Sequence, residues 1–122
     1  MILADTSVWV SHFRQDDPHL GQLLLDGQLL MHPFVVGELA CGNLRFRRKV
    51  LSDLQRLPSV ITAEQDEVLS FLDQRQLFGK GITWIDAHLL ASARLSNCRV
   101  WTFDARLLTA ATQLHIGYSA KN

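Results

Sequence analysis

The sequence predicts an α/β fold in which a parallel sheet is covered by helices on both faces. Short apolar runs alternate along the chain with longer segments whose apolar residues recur at helical spacing. The first of those runs, Ile2-Leu3-Ala4, is apolar throughout, as a strand buried on both faces is. The chain has 122 residues, 48% of them hydrophobic, which suits one domain with a real core, residues 1–122.

Taken in order, Met1–Ala4 reads as a strand and Thr6–Arg14 as a helix burying Val8, Trp9 and Phe13. Asp16-Asp17-Pro18 is a turn that opens a second helix, with Leu20, Leu23 and Leu24 on one side and Gly27 as its stop. Leu29–His32 is a second strand, and Pro33 suits the first turn of a helix running to about Cys41. Leu44–Leu57 is a basic amphipathic helix with Phe46, Val50, Leu51 and Leu54, followed by a strand over Ser59–Thr62. Ala63–Phe78 forms a long helix with Val68, Leu69, Leu72 and Leu77 inward, broken by Gly79-Lys80-Gly81. Thr83–Leu95 is a helix, Arg99–Phe103 a strand, Asp104–Ala111 a short helix and Ile116–Tyr118 a last strand. Repeats, low-complexity tracts and Gly/Ser/Pro linkers are absent from the sequence.

Composition narrows the function. Twelve basic and twelve acidic residues cancel, so nucleic acid is not drawn by net charge and any such binding must use a local patch. No apolar stretch reaches the roughly 18 residues of a membrane span. The amino terminus lacks the basic start of a signal peptide. Two cysteines, Cys41 and Cys98, make neither a disulfide framework nor a zinc ribbon, and are expected to be buried thiols in a reducing cytoplasm. The five histidines show no HxxxH pair, and no GxGxxG, P-loop or GxSxG motif occurs.

The acids carry the chemistry. Asp5 and Asp104 each follow a predicted strand, so in a parallel sheet both emerge at the carboxyl edge, where α/β proteins bind ligands. Asp86 lies in the first turn of the helix opened by Thr83, whose amino end faces the same edge. Capping is the competing reading: Asp5 and Asp104 can cap the helices that follow, and Thr83-Trp84-Ile85-Asp86 resembles a capping box. Glu38 stands in the apolar stretch Val35–Ala40, where burial of an unpaired carboxylate is costly; the alternatives are a wet helix face or an arginine partner. At roughly 5 Å and an effective dielectric of ~20, each pair of gathered carboxylates repels by about 3 kcal/mol. A divalent cation relieves that, and an all-oxygen donor set suits Mg²⁺ or Mn²⁺ better than zinc.

For nucleic acid, the local patch is Arg45, Arg47, Arg48 and Lys49 around Phe46, just beyond the Glu38 helix; a solvated helix face is the plainer reading. Trp9, Phe13, Trp84 and Trp101 are expected in the core or an interface rather than under bases.

Asp5-Thr6-Ser7-Val8-Trp9, Val35-Val36-Gly37-Glu38-Leu39, Ile85-Asp86-Ala87-His88-Leu89-Leu90-Ala91 and Thr102-Phe103-Asp104-Ala105-Arg106-Leu107-Leu108 occur in that order. Together they resemble a PIN-domain protein, and specifically a VapC-type toxin ribonuclease of a type II toxin–antitoxin system, over nearly the whole chain. His32 before Pro33 departs from the Thr or Ser often found there, which bears on how that helix is capped. The resemblance implies an α/β/α sandwich with a central parallel sheet of about four to five strands. It also implies Mg²⁺ or Mn²⁺ dependence, endonucleolytic RNA cleavage, a cognate VapB-like antitoxin and a homodimer. The family's acidic quartet maps onto Asp5, Glu38, Asp86 and Asp104, and its hydroxyl onto Thr6. In the mechanism this suggests, Asp5, Asp86 and Asp104 hold the metal, Glu38 orients metal or water, and Thr6 supports a ligand or phosphate. An aspartate-based phosphotransferase using Asp5 and a non-catalytic RNA- or protein-binding PIN-like module are the alternatives.

Overall fold

The computed structural model describes residues 1–120. Strands β1 (Ile2–Ala4), β2 (Leu29–Leu30) and β3 (Arg99–Trp101) form a parallel sheet in the order β2-β1-β3. Helices α1 (Thr6–Arg14), α2 (Pro18–Leu25), α3 (Pro33–Ala40), α4 (Arg47–Arg56), α5 (Gln65–Gln74), α6 (Trp84–Leu95) and α7 (Ala105–Gln113) surround it. The register pairs Leu3 with Leu30 and with Val100, and Ala4 with Trp101. Continued by one residue, it sets Asp5 beside Thr102 at the carboxyl edge, where the Asp5 amide donates to the Trp101 carbonyl at 2.9 Å. Both faces of β1 are covered: Ile2, Leu3 and Ala4 are all buried.

The sheet is smaller than expected. Among the described residues it has three strands rather than four to five, and the two further segments shrink to single parallel bridges, Met31 with Ser59 and Val100 with Gly117. The cause at the first is the partner segment: Met31 N–H donates to the Pro58 carbonyl at 2.8 Å and Val60 N–H to the Met31 carbonyl at 3.0 Å, but the next amide due is that of residue 33, a proline that opens α3. Proline has no N–H to continue a ladder. On the other edge Ile61 N–H donates to Ser96 Oγ at 2.8 Å and Ala63 N–H to Ser92 Oγ at 2.9 Å.

Helix starts follow local chemistry. Asp5, Asp17, His32, Thr83 and Asp104 each cap a helix through a side-chain acceptor, and Pro18 and Pro33 open the helices that follow. Helix ends share one device. After α2, α5, α6 and α7 a residue with positive φ turns the chain: Gly27, Gln76, Asn97 and His115. The next residue donates back five positions, as in Gln28 to Leu23 and Cys98 to Ala93. The turns after α2 and α6 lead directly into β2 and β3.

One large core joins the sheet to α1, α2, α3, α6 and α7 through Leu3, Val8, Leu20, Val35, Leu90, Val100 and Leu107. A small satellite, Ala63, Val68, Ala87 and Ala91, sits between α5 and α6. Several expected core residues lie outside: Phe13, Leu69 and Phe46 are exposed. Phe46 does not begin a helix at Leu44 but precedes α4 in the left-handed region, with φ 52°. Cys41 is exposed as well, whereas Cys98 is buried. None of the helices among the described residues is long and apolar enough to cross a membrane.

Candidate metal centre at the carboxyl edge

Asp5 is the most constrained of the four acids. It leaves β1, caps α1 and is only 6% exposed. Its Oδ1 accepts from Ser7 N–H at 3.0 Å, Ser7 Oγ at 2.5 Å and Val8 N–H at 3.4 Å. Its Oδ2 accepts from Thr102 Oγ1 at 2.7 Å. Burial pushes the carboxyl above its ordinary 3.8, and the hydrogen bonds from Ser7, Thr102 and Val8 pull the other way.

The two hydroxyls act as a clamp. Ser7 Oγ accepts from Phe103 N–H at 3.0 Å and Thr102 Oγ1 accepts from Asp104 N–H at 2.9 Å. Each hydroxyl thus donates to one oxygen of Asp5 and accepts from one of two consecutive amides beyond β3. Thr102 thereby connects Asp5 to Asp104, whose own Oδ1 caps α7 through Leu107 N–H at 3.0 Å and whose side chain is exposed.

Glu38 joins from the other side. Its Oε1 accepts from Thr6 Oγ1 at 2.7 Å, which ties α3 to the residue after Asp5. The expected burial of Glu38 is not found: Val35 and Leu39 turn inward, while Phe34, Gly37 and Glu38 face solvent. The wet-face reading therefore holds, with a hydroxyl in place of an arginine. Asp86 is half-buried at the amino end of α6, where its Oδ2 accepts from Thr83 N–H at 3.1 Å and Thr83 Oγ1 accepts from Asp86 N–H at 3.0 Å. That end of α6 meets the start of α3 through rings, with Phe34 and His88 centroids 4.7 Å apart. All three aspartates are therefore caps, and capping leaves their remaining lone pairs for other partners.

These residues fit a hard divalent cation in donor type. Their donors are all oxygen, and among the described residues none of the four carboxylates lies in an ion pair; the pairs present are Lys49–Asp53 and Arg56–Asp53. They are not drawn around one point: among the described residues no three His, Cys, Asp or Glu side chains are grouped to hold an ion. Asp5, Glu38 and Asp104 are linked through Thr6 and Thr102, whereas among the described residues the side chain of Asp86 hydrogen-bonds only to Thr83.

The basic segment divides. Arg47 donates to the carbonyls of Ala40 at 2.6 Å and Gly42 at 3.3 Å, closing the carboxyl end of α3. Lys49 pairs with Asp53 at 3.2 Å. Arg45 lies over the Phe46 ring at 5.6 Å, and Arg48 is exposed. Arg45 and Arg48 are thus the two cations of the patch that neither close a helix nor pair with an acid among the described residues.

Neither Ser7 nor Thr102 stood out in the sequence as a clamp on Asp5. The available signal was a hydroxyl two residues from an acid on both strands, Asp5-x-Ser7 and Thr102-x-Asp104, the spacing of side-chain-to-backbone turns. Replacing Thr102 by valine removes a donor to a buried carboxylate and orphans the Asp104 amide. Chemical denaturation should show a loss of about 1–3 kcal/mol, with Thr102→Ser restoring most of it.

An acid-edged parallel sheet of this kind defines a class that the comparison of sequences also finds. The family model of the PIN domain matches residues 2–112, and the chain belongs to the PIN-domain family. Within it the chain is of the VapC type. It is 42% identical over 114 residues to Ribonuclease VapC32 from two strains of Mycobacterium tuberculosis, covering 93% of this chain and 92% of the relative. In fold it resembles the crystal structure of PAE2754 from Pyrobaculum aerophilum, with a TM-score of 0.60 at 19% identity over 92% of this chain and 80% of that one.

Proposed function

We propose that this chain is a Mg²⁺- or Mn²⁺-dependent endoribonuclease, the toxin of a toxin–antitoxin pair, restrained by a cognate VapB-like antitoxin. The observation that carries the reading is the Ser7–Thr102 clamp. It holds Asp5 buried and oriented beside Asp104, with Glu38 tethered next to it and no cation paired to any of the three among the described residues. The relative named a ribonuclease supports the substrate class. The chain would act in the cytoplasm, as one domain and as a homodimer.

When bound, the metal ion supplies a polarised scissile phosphate and a water of lowered pKa. Asp5, Asp86 and Asp104 are the residues that would hold it. Ser7 and Thr102 fix the Asp5 carboxylate, so its geometry is set before substrate arrives. Glu38, anchored through Oε1 by Thr6 and open to solvent, orients water and takes up its proton. Arg45 and Arg48 offer charge to the RNA backbone.

The test is incubation of total RNA with the protein in Mn²⁺ or Mg²⁺, followed by end-group analysis. Attack by water on phosphorus does not use the ribose 2′-hydroxyl, so 5′-phosphate and 3′-hydroxyl ends are expected, with cleavage abolished by excess chelator. Cyclic phosphate ends, or cleavage unaffected by chelator, would overturn the proposal.

A further inference from the structure

Two aromatic rings stand in solvent where α3 and α6 begin. Phe34 is 37% exposed and Trp84 is 40% exposed, whereas Trp9 and Trp101 are 2% and 3%. Both exposed rings rest on the same buried imidazole: Trp84 meets His88 at 4.5 Å, edge to face, and Phe34 meets it at 4.7 Å. His32 backs the group, 5.0 Å from Phe34 and 6.4 Å from His88. The result is a supported aromatic shelf rather than loose side chains.

Nothing local calls for these rings. Thr83 and His32 already cap the two helices, and aromatic residues are only middling helix formers. Their placement matches the acids. Phe34 precedes Glu38 by one helical turn on the same side of α3, a rise of about 6 Å, and Trp84 is two residues from Asp86. We propose that Phe34 and Trp84 form a stacking platform for an unpaired nucleobase of the RNA strand whose phosphodiester lies against the acidic edge. The identity of the ligand rests on the nuclease reading given above.

The chemistry favours a base over an apolar peptide. A shelf on the helix turns that also carry Glu38 and Asp86 suits a ligand with a flat ring and a phosphate on one short unit, and single-stranded RNA is recognised by stacking on such rings. The floor also sets the selectivity. The Nε2 atoms of His32 and His88 are buried with no hydrogen-bond partner among the described residues, so the site offers ring faces rather than a donor–acceptor pattern. Stacking of this kind tolerates all four bases.

Trp84 is the tryptophan that solvent reaches, which makes the test direct. The protein carrying Asp5→Asn, so that RNA stays intact, is titrated in Mg²⁺ with a single-stranded uridine dodecamer and with an abasic dodecamer of equal charge. Intrinsic fluorescence should be quenched by the first and not by the second. With end-labelled RNA, Trp84→Leu and Phe34→Leu should each weaken binding about tenfold, the scale of one stacked base, while Trp84→Phe, which keeps a ring, should bind nearly as the parent does. Equal binding of the abasic strand, or unchanged affinity in both leucine variants, would overturn the platform. Metal-dependent cleavage by the unsubstituted chain is read in parallel. Cleavage with no base-dependent binding sinks the platform alone, and base-dependent quenching with no cleavage sinks the nuclease reading and leaves the platform standing.

Discussion

Asp5→Asn is expected to lower RNA cleavage by about 10³-fold or more, since loss of a metal ligand removes several kcal/mol of transition-state stabilisation. The same substitution should leave metal-free stability at neutral pH unchanged or raised. Burial lifts the Asp5 carboxyl above its ordinary range. Between the unfolded and folded values the native state binds more protons than the unfolded state. Stability therefore falls as pH rises through that window, and at neutral pH the charge at Asp5 works against folding. Asparagine carries no charge and fits the cage: Oδ1 still accepts from Ser7 and Val8, and Nδ2 can donate to Thr102 Oγ1. Cleavage and thermal unfolding in chelator, measured on the same preparation, check both halves. Activity within tenfold of the parent would remove Asp5 from the reaction, and a large drop in Tm at pH 7 would mean that the carboxylate serves the fold.

The second large effect is acid sensitivity centred on His32. This residue is 2% exposed and caps α3 by accepting from Phe34 N–H on Nδ1 at 2.9 Å, a role open only to the neutral ring. Burial, followed by the nearby His88, lowers its pKa from 6.5 to about 4. Between those values the unfolded chain binds the extra proton, so stability is fully present above about pH 6.5 and declines as pH falls toward 4. A shift of this size corresponds to about 3 kcal/mol between pH 7 and pH 4. His88 is lowered by burial too and adds in the same direction. Urea unfolding across that range should show the slope. His32→Asn retains a capping oxygen without a proton to gain, and should flatten it. An equal slope in the variant would place the acid sensitivity elsewhere.

Helix starts were legible because their signals lie within a few residues of one another. Asp17-Pro18, His32-Pro33 and Thr83 with Asp86 place a capping acceptor beside the amides it must satisfy. The Gly27 stop was legible for the same reason, but the left-handed turns at Gln76, Asn97 and His115 were not, since these residues do not advertise a positive φ. The segment over Ser59–Thr62 carried a strand's composition, yet its parallel partner turns into α3 at Pro33, which has no amide to continue the ladder. Phe46 and Leu69 had an inward period but no neighbour to bury them.

The sequence alone determined the order of strands and helices, the acids that follow β1 and β3, and the caps they make, because periodicity and capping are properties of adjacent residues. Only the tertiary structure decided that Thr6 holds Glu38, that Ser7 and Thr102 grip the same carboxylate, and that Phe34 and Trp84 share one imidazole floor. Those contacts join residues up to 97 positions apart. They exist because the parallel register brings the ends of β1 and β3 together, and register is set by packing of both sheet faces, which no short stretch of chain encodes.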